Sequence, residues 1–206
     1  MSIFSKIQKT KLRSNTFDLS HDRKFSGDMG KLIPTGVFEC VPGDRWKMST
    51  SQLVRFAPLV SPLMHQISVY THAFFVPNRI LWPNWEKFIT GGEDGLDTSV
   101  LPIQAFGSIS PGDLADYMGL PLQETGLNVN SLPFAAYLAI YNDYFRDQNL
   151  IPSIDYKLVD GSNSNSKFRT LRTRAWQHDY FTSALPWTQK GAEATIPLGS
   201  IEPNYK

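Results

Sequence analysis

A single cysteine, Cys40, in 206 residues leaves no internal disulfide and no cysteine-rich zinc site. A reducing cytoplasm suits such usage, and Cys40 itself is expected as a small buried residue within a strand. Long apolar runs are lacking too. None approaches the roughly 18 residues that would mark a membrane span, and the start, MSIFSKIQKTKLRSN, has no apolar core of the kind that defines a secretory signal. Net charge is almost absent at +1, so the chain as a whole lacks the positive balance of a dedicated nucleic-acid binder. Catalytic signatures are missing as well. There is no G-x-S-x-G and no H-E-x-x-H, and Gly91-Gly92-Glu93-Asp94-Gly95 lacks the lysine of a phosphate-binding loop. His21, His65, His72 and His178 show no metal-ligand spacing, and the acidic residues are scattered singly. No enzymatic activity, cofactor or metal is expected.

The chain does have ordinary globular composition, 41% hydrophobic and 19% charged, with fourteen prolines spread along it. That many helix breakers argue against a helical bundle and for short elements joined by defined turns. Residues 1–30 read as a basic arm. Within its first 24 positions Lys6, Lys9, Lys11, Arg13, Arg23 and Lys24 face only Asp18 and Asp22, a net of +4. Such an arm is either a solvated terminus or lies against a neighbouring subunit or a polyanion. Residues 31–206 then form one domain. A strand is expected over 31–41, where Val37, Glu39 and Val41 alternate with Phe38 and Cys40. Val41-Pro42-Gly43-Asp44 has proline and glycine where a type II turn needs them, and a second extended run follows over 45–56. The most informative run, RFAPLVSPLMHQISVYTHAFFVPNRILWPNWEKFITGG from Arg55, contains a third, Gln66 to Val76, β-branched and aromatic enough to be buried on both faces at its end.

Helices are marked by their punctuation and are expected as insertions near 82–90, 111–118 and 132–148. In the first, Pro83 suits the opening turn, Trp85 and Phe88 share a face, and Gly91-Gly92 stop it. In the second, Ser110 is the cap, with Pro111 behind it and Asp113 three residues on, and Gly119 is the stop. In the third, Ser131 and Pro133 begin a stripe of Phe134, Leu138, Tyr141 and Phe145 that Asn149 and Pro152 end. Residues 92–100, and the stretch from the end of the second helix at Gly119 and Pro121 to Asn130, read as loops. GSNSNS, 161–166, reads as an exposed loop tip.

Two clusters carry chemistry. Lys167, Arg169, Arg172 and Arg174 put four cations into eight residues, followed by Trp176, Tyr180, Phe181 and Trp187. Interleaved arginines and aromatics suit single-stranded nucleic acid, phosphates meeting guanidinium and bases stacking on rings; the alternative is the wet face of an edge segment beside a buried aromatic core. With Lys6, Lys9, Lys11 and Arg13 these cations are the candidate DNA contacts. Tyr70, Phe74, Phe75, Trp82, Trp85 and Phe88 place six of the chain's 26 aromatics in 19 residues. With Trp176, Tyr180, Phe181 and Trp187 they are candidates for the core or a subunit interface. A sugar-stacking platform on Trp82 and Trp85 is the competing reading, which together with Trp187 would make the protein a β-sandwich carbohydrate-binding or glycan-processing protein. A single-stranded DNA-binding protein is the other alternative.

The pieces RFAPLVSPLMHQ, VYTHAFFVPNRILWPNWEKFITGG, DLADYMGLP, LPFAAYLAIYNDYFRDQNL and LRTRAWQHDYFTSALPWTQKG cover most of residues 30–191. In them the chain resembles the major capsid protein of the Microviridae, of the gokushovirus VP1 type. The resemblance implies a mainly β fold, the eight-stranded antiparallel viral jelly roll with helices inserted between strands. It implies copies assembling into a T=1 icosahedral shell in the host cytoplasm, around a packaged single-stranded DNA genome. Other virion proteins and a host surface receptor are implied partners, and a membrane is not. Proteins of that family are considerably longer, so the chain is expected to hold only the N-terminal strands and insertions, a partial jelly roll with unpaired edges.

Overall fold

The computed structural model describes residues 13–122, 125–188 and 190–192. Its order is set by local chemistry around Pro77 and Pro83. Pro77 is extended (φ −65°, ψ 133°) and hands over to α1, Asn78–Leu81. Trp82 is extended again (φ −133°, ψ 113°), as the ring of the following proline requires, so α2 begins only at Trp85 (Trp85–Thr90). The single insertion expected near 82–90 is therefore two short helices, with Pro83 in the break between them. Gly91 closes α2 in the left-handed conformation (φ 79°), donating its N–H to the Lys87 carbonyl at 2.8 Å, the stop its sequence announces.

Strand β1 (Ile103–Phe106) is central in a three-stranded sheet of order β2-β1-β3. It pairs antiparallel with β2 (Leu127–Asn130), Ile103 opposite Asn130 and Phe106 opposite Leu127. It pairs parallel with the two-residue β3 (Ser162–Asn163). Gln104 and Phe106, two apart and hence on one face, are both buried. Between β1 and β2 lies α3, Leu114–Tyr117. Its cap is Asp113 rather than Ser110. Ser110 opens a turn, in which the Asp113 N–H donates to its carbonyl at 3.2 Å and its own N–H donates to Asp113 Oδ2 at 3.1 Å.

The long helix α4, Leu132–Ile140, continues as a π-helical turn, Tyr141–Phe145. Leu132, Phe134, Ala135, Tyr137, Leu138 and Ala139 are all buried, which leaves no solvent-facing stripe; a helix apolar around its circumference is a central one. The π turn brings Asn142 to the 151–156 strand of coil, where it donates Nδ2–H to Ile154 O (2.7 Å) and accepts the Ile154 N–H (3.0 Å). The core packs Trp82, Phe106, Ile109, Leu114, Phe134, Leu138, Leu158 and Phe168 together. A clasp closes it from one side: Leu158 N–H donates to Leu81 O (3.1 Å), Lys157 Nζ to Ile80 O (2.7 Å), and both the Trp82 indole N–H (2.7 Å) and Asn84 Nδ2 (3.0 Å) to Asp160 Oδ1.

Several strand and loop expectations are corrected. Residues 31–41, 45–56 and 66–76 form neither helix nor strand ladder among the described residues; the pairing there is an isolated bridge, Lys31 opposite Thr173. The Gln66 to Val76 run is not buried on both faces, for Tyr70 is 65% and Phe75 78% exposed. Cys40 is exposed. The turn between the first two runs has its type II form, with Gly43 at φ 96° and Asp44 N–H donating to Val41 O at 3.1 Å. GSNSNS is not a bare loop tip: it contributes β3 and the buried Asn163, whose side chain donates to Val159 O (2.8 Å) and Gly161 O (3.0 Å) and accepts the Val159 N–H (3.1 Å).

Candidate nucleic-acid interface

Lys6, Lys9 and Lys11 lie outside the described residues, and Arg13 is exposed. The second cation cluster is spread along a strap that crosses the core. Lys167 sits in a single 3-10 turn, Ser166–Phe168, whose Phe168 is wholly buried. From there Arg169 and Arg172 turn back onto the protein. The Arg169 guanidinium lies over the Phe106 ring (5.7 Å). That of Arg172 lies over Tyr141 (6.0 Å) and donates to Lys167 O (3.2 Å). The Arg172 backbone N–H donates to the Tyr137 hydroxyl (2.8 Å), which donates in turn to Leu32 O (2.9 Å). Burial pushes the Tyr137 hydroxyl up to about 12, against the opposing pull of Arg172. Arg174 differs: it is exposed, and its guanidinium lies over Tyr70 at 5.7 Å.

The aromatics separate into two groups. Trp82, Trp85 and Phe88 form a triangle with centroids 5.3–6.2 Å apart. Trp82 is 0% exposed with its N–H held by Asp160, which removes it as a sugar-stacking face. The other group is open. Tyr70, His72 and Phe74, alternate residues of an extended segment, form a column with centroids 6.3 and 6.1 Å apart. Phe74 meets Tyr144 at 4.8 Å and Phe145 at 5.9 Å. Beside them the strap is fixed by the Ala175 N–H donating to Phe145 O (2.8 Å). Trp176 is 79% exposed; Tyr180 and Phe181, edge to face at 5.5 Å, and Trp187 are exposed too. The turn beyond Trp176 is built on Asp179, whose Oδ1 accepts the amides of Phe181 (2.9 Å) and Thr182 (2.8 Å). These hydrogen bonds, those from Thr182 first, hold its carboxyl below the usual range.

Two hollows border the strap. A cleft of about 870 Å³ mixes Arg23, Lys24, Lys31 and Arg169 with Asp28, Asp113 and Asp116, and Arg23 is already committed to the carbonyls of Thr35 and Tyr117. The smaller, about 170 Å³, is lined by Tyr144, Arg146, Arg174, Trp176 and His178 among others, and by no carboxylate. Arg174 and Trp176 were legible as candidates from sequence; Tyr144, Arg146 and His178 were not, because no local signal ties the end of a helix to a strap some thirty residues on. Among the described residues no group of three or more His, Cys, Asp or Glu side chains could hold a metal.

Known proteins match along nearly the whole chain. The family model described as "Capsid protein (F protein)" matches residues 5–205. The capsid protein VP1 of Bdellovibrio phage phiMH2K is 38% identical over 208 residues, covering 97% of this chain and 38% of the relative. VP1 of Chlamydia phage 1 is 37% identical (95% and 37% covered), and VP1 of Spiroplasma virus 4 is 33% identical (97% and 39%). The chain thus spans about two fifths of the length of the curated relatives it matches. With a family match from one end to the other and VP1 relatives above 30% identity, the chain belongs to the phage F-protein capsid family.

Proposed function

We propose that this protein is structural, a major capsid subunit that self-associates into the closed icosahedral T=1 shell of a small phage and encloses its single-stranded DNA. The observation that carries the reading is the exposed extended run Gln66 to Val76. Tyr70 and Phe75 stand largely in water on backbone with no ladder partner among the described residues, a surface that is stable only when another segment covers it. Family membership supports the same reading. The fold proposed for the whole protein is the antiparallel jelly roll. In it 31–41, 45–56 and 66–76 become strands once paired with partners beyond this sequence, and α1 to α4 are the insertions. Among the described residues no helix is long and apolar enough to cross a membrane. Assembly in the host cytoplasm, contact with other virion proteins and contact with a host surface receptor complete the proposal.

Electron microscopy of the protein produced from its complete gene tests it. Uniform closed particles containing DNA are the expected result; a protein that remains monomeric at every concentration overturns it. DNA contact is tested by alanines at Lys6, Lys9, Lys11 and Arg13, or at Arg169, Arg172 and Arg174. Unchanged DNA content in both sets of particles would show that neither cluster faces the genome.

A further inference from the structure

The geometry points to a stacking site for an unpaired DNA base in the small hollow between Tyr144 and Trp176, with Arg174 taking the flanking phosphate and Arg146 adding positive charge to the wall. This rests on the reading of the protein as a shell around single-stranded DNA and names the place where one strand is held. Four observations converge there. Trp176 and Tyr144 are 79% and 68% exposed, large flat rings in water on a rigid support, since Ala175 is bonded to Phe145 O and Tyr144 rests against Phe74. Two arginines line the hollow and no carboxylate does. Of the acids next to these positions in sequence, Asp147 and Asp179 are already engaged: Asp147 Oδ1 accepts the amides of Asn149 and Leu150 and its Oδ2 lies 3.8 Å from His178 Nε2, and Asp179 Oδ1 accepts the amides of Phe181 and Thr182, while Asp143, beside Tyr144, is exposed and does not line the hollow. Arg146 is anchored, its guanidinium donating to the Ile151 carbonyl and its Nε buried, so the open cation is Arg174, which presents the guanidinium face turned away from Tyr70.

Those are the parts that sequence-tolerant binding of single strands uses: rings and guanidinium planes for bases, cations for the backbone. The column Tyr70, His72, Phe74 continues the stack under Arg174. The larger cleft is the poorer candidate, because three carboxylates among its lining offset most of its four cations and would repel phosphate.

The test is a fluorescence-anisotropy titration of the 206-residue chain with a labelled oligothymidylate of about 12 nucleotides, within the usual single-strand site sizes. Trp176→Ala should weaken binding about tenfold and Trp176→Phe, which keeps a ring, about twofold or less. Arg174→Ala should lower the slope of log affinity against log salt by about 0.7, one phosphate's share on a single strand. Trp187→Ala, an exposed ring away from the hollow, should change nothing. Failure of the parent to bind, or unchanged affinity in Trp176→Ala, overturns the site; all these positions are exposed, so folding is not at issue, and circular dichroism verifies it. Particles separate the two readings. Trp176→Ala shells that close and carry parental DNA overturn the base site and leave the shell intact. A variant that needs higher concentration to assemble yet binds the oligonucleotide normally also overturns it, assigning the hollow to another copy. A parent that forms no particles removes the shell reading, while the titration still decides the hollow.

Discussion

Removing the carboxylate of Asp160 should destabilise the fold out of proportion to its place on the surface. The Trp82 indole is 0% exposed and its N–H donates to Asp160 Oδ1 at 2.7 Å, a short bond to a charged acceptor. In Asp160→Ala that donor stays buried without a partner, which costs about 1–3 kcal/mol. Asn84 Nδ2 also loses its two contacts, at 3.0 and 3.1 Å, but Asn84 can turn to water, so Asn84→Ala should cost about 0.5 kcal/mol, the low end for a hydrogen bond. Trp82→Phe removes the donor together with part of the ring and should cost about 2 kcal/mol; Trp82→Ala, which empties the site, about 3–5 kcal/mol. In the double variant Trp82→Phe/Asp160→Ala no buried indole N–H is left without its acceptor, so the two effects should overlap by about 1–2 kcal/mol. Urea unfolding followed by far-ultraviolet circular dichroism reads all of these without relying on tryptophan emission. An Asp160→Ala variant as stable as the parent, or strict additivity in the double variant, would refute the idea that this bond closes the core.

Tyr137 links Leu32, Arg172 and α4 through its hydroxyl. Its folded pKa of about 12 lies above the roughly 10 of an unfolded chain, so the stabilisation is complete below pH about 10 and lost as pH rises toward 12. Tyr137→Phe should flatten alkaline unfolding in that window and cost about 1–3 kcal/mol at neutral pH. For Asp179 the sign is opposite. Its pKa is lowered, so its turn is held above the ordinary aspartate range and released as pH falls through the lowered value; an NMR titration should find its midpoint below that of a free aspartate, and Asp179→Asn should speed amide exchange at Phe181 and Thr182. Gly91→Ala should cost about 1–2 kcal/mol, read by thermal unfolding, because Gly91 is left-handed at φ 79° and a Cβ there would stand 3.3 Å from the Gly95 Cα.

Helices were legible in the sequence because their signals are local: Gly91 and Gly119, both at positive φ, end helices where the letters say they should. Their starts were less so. Pro83 displaced the first to Trp85, and Asp113 outcompeted Ser110 as a cap. Of strands β1 and β2, IQAF carries no sequence signal and LNVN falls in a stretch that reads as loop; four residues are too few for a period of two to stand out, and their pairing is fixed by a partner more than twenty residues away. The three long β-like runs were legible as extended and apolar but not as unpaired, since pairing belongs to whatever covers them. At the candidate site, composition found Arg174 and Trp176. It could not tell them from Arg169 and Arg172, whose guanidinium groups the fold turns onto Phe106 and Tyr141.

The clasp of Leu81 and Trp82 on Leu158 and Asp160 joins positions 78 residues apart. The chain therefore leaves and re-enters its path at one spot, and the lobe hung between those points is topologically a side branch. A branch with a fixed stem can lengthen or shorten freely, because each doubling of a loop adds only about 0.6 kcal/mol of closure entropy. Differences in length among related capsid proteins should gather in the branch, at 92–100 and around 121–126, while the stem contacts of Leu81 with Leu158 and of Trp82 with Asp160 stay in place.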